Sequence, residues 1–155
     1  MYSRPVRVAG LAAVAALALV AAGCGGERLS QANFDAKTSA ICAGYTKRAQ
    51  KELEPVPGNP LSATGTPEQL AKFGHLLEHV ATLFGRQLDD LRRVRPPAGS
   101  AQRYTQVLRL YAQIESALGR GARAARRGDK VGVLAVEDEL SALGKEADAL
   151  GFKCE

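Results

Sequence analysis

The chain has 155 residues, of which 46% are hydrophobic and 24% charged, with a formal net charge of +5. That length and balance describe a single globular core rather than a disordered or fibrous chain, and the charge is too mild to predict a nucleic-acid partner. Three cysteines and two histidines bound the thiol and metal chemistry open to it.

Arg4 and Arg7 lead into an uncharged, mostly apolar run of fifteen residues, Val8 to Ala22, which stops at Gly23-Cys24-Gly25-Gly26. A basic start, an apolar stretch of about 7–15 residues and small residues at its end read as a secretory signal. The run also falls short of the about 20 residues a helix needs to span hydrocarbon. Cys24, directly after Ala21-Ala22-Gly23, resembles the lipobox cysteine of bacterial lipoproteins, with Ala21 standing where that pattern usually has Leu. The resemblance covers residues 4–26. It implies that residues 1–23 are a cleaved signal peptide, that the Cys24 thiol carries diacylglycerol, and that residues 24–29 tether a domain of residues 30–155 to the extracytoplasmic face of a cell membrane. Val20-Ala21-Ala22 also suits ordinary signal-peptidase cleavage, which would leave Cys24 as a free thiol, and an uncleaved N-terminal anchor is a third outcome. Loss of residues 1–23 removes Arg4 and Arg7, which lowers the formal charge from +5 to +3 over the remaining 132 residues. That is a normal size for one domain.

An odd cysteine count in an exported protein requires an explanation for the leftover thiol. With Cys24 taken by lipid, Cys42 and Cys154 remain as a pair, and outside the cytoplasm such a pair persists as a disulfide. Two buried free thiols are the alternative. A bridge would tie the C-terminal tail to the first helix and leave up to about 18 Å of that helix extending beyond it toward the tether, at 1.5 Å per residue.

The pattern predicts four helices and no sheet. The first spans Ser30 to Glu54, with Ser30 or Asn33 as N-cap and Phe34, Ile41, Tyr45 and Leu53 on one stripe, and it stops before Pro55-Val56-Pro57-Gly58. Thr66-Pro67-Glu68-Gln69 opens the second with a capping box, followed by Leu70, Phe73, Leu77, Val80, Phe84 and Leu91 at helical spacing. Leu76, Leu83 and Leu88 widen that stripe, which predicts a central helix. Pro96-Pro97 ends it and Ser100 is placed to cap the third, which carries Tyr104, Val107, Tyr111, Ile114 and Leu118 until Gly128. Asp129 is placed to cap the fourth, with Val133, Val136, Leu140, Leu143, Ala147 and Leu150 inward, Gly151 at C′ and Phe152 folding back. Short second and third connections favour an up-down-up-down bundle. Gly74, Gly119 and Gly121 lie inside helices, where they serve either close approach or a bend.

Four clusters bear on chemistry. His75-Leu76-Leu77-Glu78-His79 matches H-x-x-E-H, in which two histidines share a helical face and can hold Zn²⁺ or Cu²⁺ beside a glutamate. The apolar stripe turns both toward solvent, and the chain has no third histidine to complete a catalytic site. Glu137-Asp138-Glu139 diverge by about 100° per residue, so electrostatic pairing of Glu137 and Asp138 with Arg120 and Arg123 across the hairpin is the simpler role. Arg120, Arg123, Arg126 and Arg127 complement the negative end of the third helix. Tyr45, Tyr104 and Tyr111 read as core residues whose hydroxyls reach the rim.

Bundle topology puts Arg28, Arg92, Arg93, Arg95 and Lys153 at the pole nearest the tether, where basic residues either supplement a lipid anchor or compensate a helix end. The Ala, Gly and Arg richness, with one Cys in the first helix and one at the C-terminus, resembles small helical lipoproteins of high-GC bacteria, a resemblance that implies no particular activity. The expectation is a lipid-anchored bundle with a non-catalytic binding or structural role in the cell envelope, no cofactor, and an envelope protein or ligand as partner. A metal-binding protein using His75, Glu78 and His79 is the first alternative. A secreted hydrolase is the second, disfavoured because the sequence gives no Ser or Cys a His partner.

Overall fold

A computed structural model describes residues 28–152 and 154. Cys24, the signal segment, most of the tether and Lys153 lie outside the described residues. Among those described there are four α-helices and no strand: α1 (Gln31–Glu52), α2 (Pro67–Arg92), α3 (Ala101–Arg126) and α4 (Lys130–Ala149), with a 3-10 turn at Ala98–Ser100.

The caps explain the boundaries. Ser30 Oγ accepts from the Asn33 amide at 3.3 Å, which makes Ser30 rather than Asn33 the N-cap of α1. That helix stops at Glu52, two residues earlier than the sequence suggests. Leu53 is already extended, and Glu54 precedes a proline, where the α conformation is sterically disfavoured. At α2 the capping box forms in full: the Gln69 amide donates to Thr66 Oγ1 at 3.2 Å and the Thr66 amide to Gln69 Oε1 at 2.9 Å. Asp129 caps α4 by accepting from the Gly132 amide at 2.8 Å.

Ser100 does not cap α3 through its side chain. Pro97-Ala98-Gly99 first winds into the 3-10 turn, so Ser100 is already in right-handed helical geometry, and its hydroxyl turns to Pro97 O and to Gln31 Oε1 of α1. At the other end of the bundle the proline loop, residues 53–66, is tied down from two sides. Gln69 Nε2 donates to Pro57 O at 3.2 Å, while Lys130 Nζ, at the start of α4, donates to Ser62 O at 2.8 Å and Gly65 O at 2.9 Å.

Successive helices run antiparallel. Leu91 near the end of α2 meets Tyr104 near the start of α3, Leu70 at the start of α2 meets Ala124 and Ala125 at the end of α3, and Ala125 meets Val133 across the next turn. The architecture is the expected up-down-up-down four-helix bundle. Its centre is the α2–α3 pair, against which α1 packs on the α2 side and α4 on the α3 side. The sequence points to α2 as central; α3 is equally so, with ten of its residues buried.

Gly74 and Gly121 set how closely that pair approaches. A Cβ on Gly74 would lie 3.1 Å from the backbone Ala122 O and Arg126 N, and one on Gly121 would lie 3.2 Å from Val136 Cγ1 and 3.3 Å from Leu77 Cδ1. The helix is continuous through Gly119 and Gly121; close approach is the use of Gly121, whereas an added Cβ at Gly119 would meet only Arg123 of its own helix, at 3.5 Å.

After α4, Gly151 takes φ +68° and its amide donates to Asp148 O at 2.8 Å, one of the bonds of a Schellman closure. Phe152 folds back so that its ring centroid is 5.9 Å from Tyr104 and 5.8 Å from Tyr111. Two residues on, the Cys154 sulfur lies at disulfide distance from that of Cys42, with Cα atoms 5.1 Å apart and 112 positions between them. Such a loop stabilises by about 4–5 kcal/mol in the chain-entropy model. The turns of α1 before Cys42 do not stand free, as a bare projection toward the tether would: Phe34 is buried, edge-on to Tyr104 at 4.9 Å.

Gly74→Ala is expected to lower stability by about 1–2 kcal/mol, because a rigid backbone must give way even though alanine is the better helix former. Gly44→Ala, on exposed α1 with nothing within 4 Å of the added carbon, is expected to raise it by about 0.5–1 kcal/mol. Urea midpoints of the two variants check this; shifts of the same sign would remove close approach as the reason for Gly74.

Candidate functional site

The two histidines sit on the exposed face of α2, as the apolar stripe requires, but the glutamate between them is taken. Arg126 Nη1 of α3 lies 2.7 Å from Glu78 Oε2, while His75 Nδ1 is 4.0 Å from the same oxygen. His79 turns the other way, its Nε2 3.4 Å from Glu52 Oε2 at the end of α1. The H-x-x-E-H spacing is therefore split between two neighbouring helices, and a guanidinium neutralises the carboxylate a cation would need. Among the described residues no three His, Cys, Asp or Glu side chains are grouped so as to hold a metal ion.

The charge pairing across the α3–α4 hairpin uses a different carboxylate from the expected ones. Arg120 Nη2 lies 2.6 Å from both oxygens of Glu139. Val136 and Leu143 face the core, and Glu139, three residues after Val136, flanks that face, whereas Glu137 and Asp138 point progressively away from it. Arg123 instead lines a groove along the outer side of α2 and α3 with Glu78 and Arg126.

Tyr104 and Tyr111 are core residues, whereas Tyr45 is only half-buried and lies outside the core clusters; Tyr104 does not reach the rim. Its hydroxyl is buried and donates to Leu91 O at 2.8 Å, a carbonyl close to the end of α2. Tyr45 donates to Asp90 Oδ2 at 2.9 Å, and Asp90 Oδ1 accepts from Arg93 Nη1 at 3.2 Å. Arg92 is likewise 3.0 Å from Asp89. Arg92 and Arg93 directly follow Leu91, and Arg28 directly precedes Leu29, which packs on the same core cluster as Leu91. Asp89 and Asp90 offset Arg92 and Arg93 locally.

A hollow forms where the bundle is incomplete. Because α1 leans on α2 and α4 on α3, the fourth side of the square is open, and the tail crosses it to reach Cys42. Under the tail lie Phe84 and Tyr111, stacked at 4.9 Å with 30° between their planes. Two cavities flank them. One of about 230 Å³ lies on the α1 side over Leu83 and Gln87, and one of about 430 Å³ lies on the α4 side beside Ala147, Asp148 and Phe152. Gln87 is buried, and its Nε2 donates to Cys154 Sγ at 2.9 Å.

The sequence did not point to this hollow. Its parts come from all four helices and the tail, and each reads locally as an ordinary helix position; the one local signal is an aromatic placed directly after the Gly151 stop.

No family model matches the chain, and no significantly similar curated protein or solved structure is found.

Burial, and then the Asp148 carboxylate, push the Tyr111 phenol up to about 12; burial, and then Tyr111 itself, raise Tyr104 as well. In the unfolded chain both titrate near about 10, so the stability that comes from keeping them neutral is fully present below about pH 10 and is lost as pH rises toward about 12. Unfolding free energy is expected to fall across that window, and Tyr111→Phe to fall less steeply. An unchanged slope in that variant would show that ionisation of Tyr111 is not linked to folding.

Proposed function

We propose that the protein is a lipid-anchored, extracytoplasmic helical bundle with a non-catalytic binding or structural role in the cell envelope. The observation that carries this reading is the cysteine pattern. Cys24 follows a short apolar run and Ala21-Ala22-Gly23, and the pairing of Cys42 with Cys154 leaves it as the remaining one of the three cysteines.

Anchoring at Cys24 sets an orientation. Arg28 and Leu29 enter the bundle at the pole formed by the start of α1, the end of α2 and the end of α4, so that pole faces the membrane and the pinned proline loop faces away. Attraction of Arg28, Arg92, Arg93 and Arg95 to anionic lipid is secondary to the anchor in this arrangement, since Asp89 and Asp90 sit beside two of them.

Intact-mass analysis of the membrane-extracted protein tests the reading. A diacylglycerol adduct on a chain that begins at Cys24 is expected. A chain that begins at Gly23 with a free thiol would refute the anchor.

A further inference from the structure

The larger hollow, between the end of α4 and the α2–α3 pair, has a composition that selects one class of ligand. Phe84 and Tyr111 stack, and Phe152 stands nearly perpendicular to Tyr111, at 85° and 5.8 Å, so the three rings turn a corner. Phe152 is held in place from both sides: Gly151 turns the chain before it, and Cys154 fastens the tail to α1 after it. Asp148 lies in the lining of the same hollow, exposed, and among the described residues it has no cationic partner. Among the described residues no Lys or Arg lines the cavity. Gly144 leaves its wall open, with nothing within 4 Å of where a Cβ would be.

Charge and ring chemistry decide among occupants. An anion would meet Asp148, the one charged residue of the described lining. A purely apolar molecule would cover the carboxylate and leave it unpaired, which is costly. A calcium ion needs about 6–8 oxygen ligands, and the side chains of the lining offer one carboxylate and one phenol hydroxyl. An organic cation suits both halves of the site, because its charge meets Asp148 and its methyl groups meet aromatic faces, the pairing used in recognition of choline and methylated lysine. We infer that the corner formed by Phe84, Tyr111, Phe152 and Asp148 binds a quaternary ammonium group, either free as a choline-type solute or carried on a phosphatidylcholine headgroup.

The test uses the full chain in maltoside detergent, with choline chloride as the probe and the amide shifts of Gly144 and Gly151 as the readout. A saturable change is expected, half-complete on the order of 1–10 mM, with no saturable change from sodium chloride at matched concentration. Asp148→Asn, at an exposed position, is expected to retain the helical circular dichroism and weaken binding about 5-fold; Phe152→Leu is expected to weaken it about 10-fold. If Phe152→Leu does not fold, Asp148→Asn decides alone. Competition by phosphatidylcholine vesicles, but not phosphatidylglycerol vesicles, assigns the headgroup as the source, and saturation by choline without such competition assigns the free solute. A linear response indistinguishable from that to sodium chloride, or an Asp148→Asn variant that binds choline as tightly as the parent, overturns the proposal.

Discussion

The bundle depends on the closeness with which α2 and α3 meet. Gly74 and Gly121 remove the two side-chain stubs that would hold the backbones apart, so Leu77 and Val136 can pack over Gly121 while Ala122 lies against Gly74. Interiors are packed at crystal-like density, and a gap of a single methyl group at this seam would propagate to everything resting on it. Both outer helices rest on it: α1 lies along one flank and α4 along the other. Their separation follows from the same geometry, since each follows its own neighbour and neither is drawn to the other.

That separation leaves an open side, and the C-terminal tail is what covers it. The aromatic residues concentrate there, with Phe34, Tyr104, Tyr111, Phe84 and Phe152 in one continuous set of ring contacts at the pole where the chain enters. The opposite pole is built differently. Its core is small and aliphatic, Leu70 with Ala124, Ala125 and Val133, and its loop is held by hydrogen bonds from Gln69 and Lys130. One end is thus secured by apolar area and a covalent link, the other by polar contacts to backbone carbonyls, which water competes for more readily.

Much of the fold was legible because it rests on local rules. The capping box at Thr66, the aspartate before α4 and the glycine after it each act within a few residues, and each is found where the pattern puts it. The side chain of Ser100 does not follow the capping rule because the 3-10 turn from Ala98 already brings Ser100 into helical geometry, and the extended backbone of a cap is lost. Glu139 was passed over in favour of its neighbours because pairing depends on which face of α4 turns inward, a matter of less than one helical turn. The histidine motif reads the same in sequence whether or not an arginine 48 positions away occupies its glutamate. The open side is the hardest feature to foresee, since amphipathic periodicity permits α1 to pack on α4 as readily as on α2, and the packing sets α1 chiefly on α2.

The link between Cys42 and Cys154 also has a consequence in time. Its two halves lie on the first helix and beyond the last, so it closes only after every helix has been synthesised. Throughout synthesis Cys42 remains a thiol with no rightful partner in the fold, open to exchange with whatever thiol or disulfide it encounters. A finished bundle buries Cys42, a residue only 1% exposed, against its partner, and a chain broken before α4 has no Cys154 to pair with it. The bond therefore marks completeness: in any population of chains, an alkylating reagent would label Cys42 in the unfinished ones and pass over it in the rest.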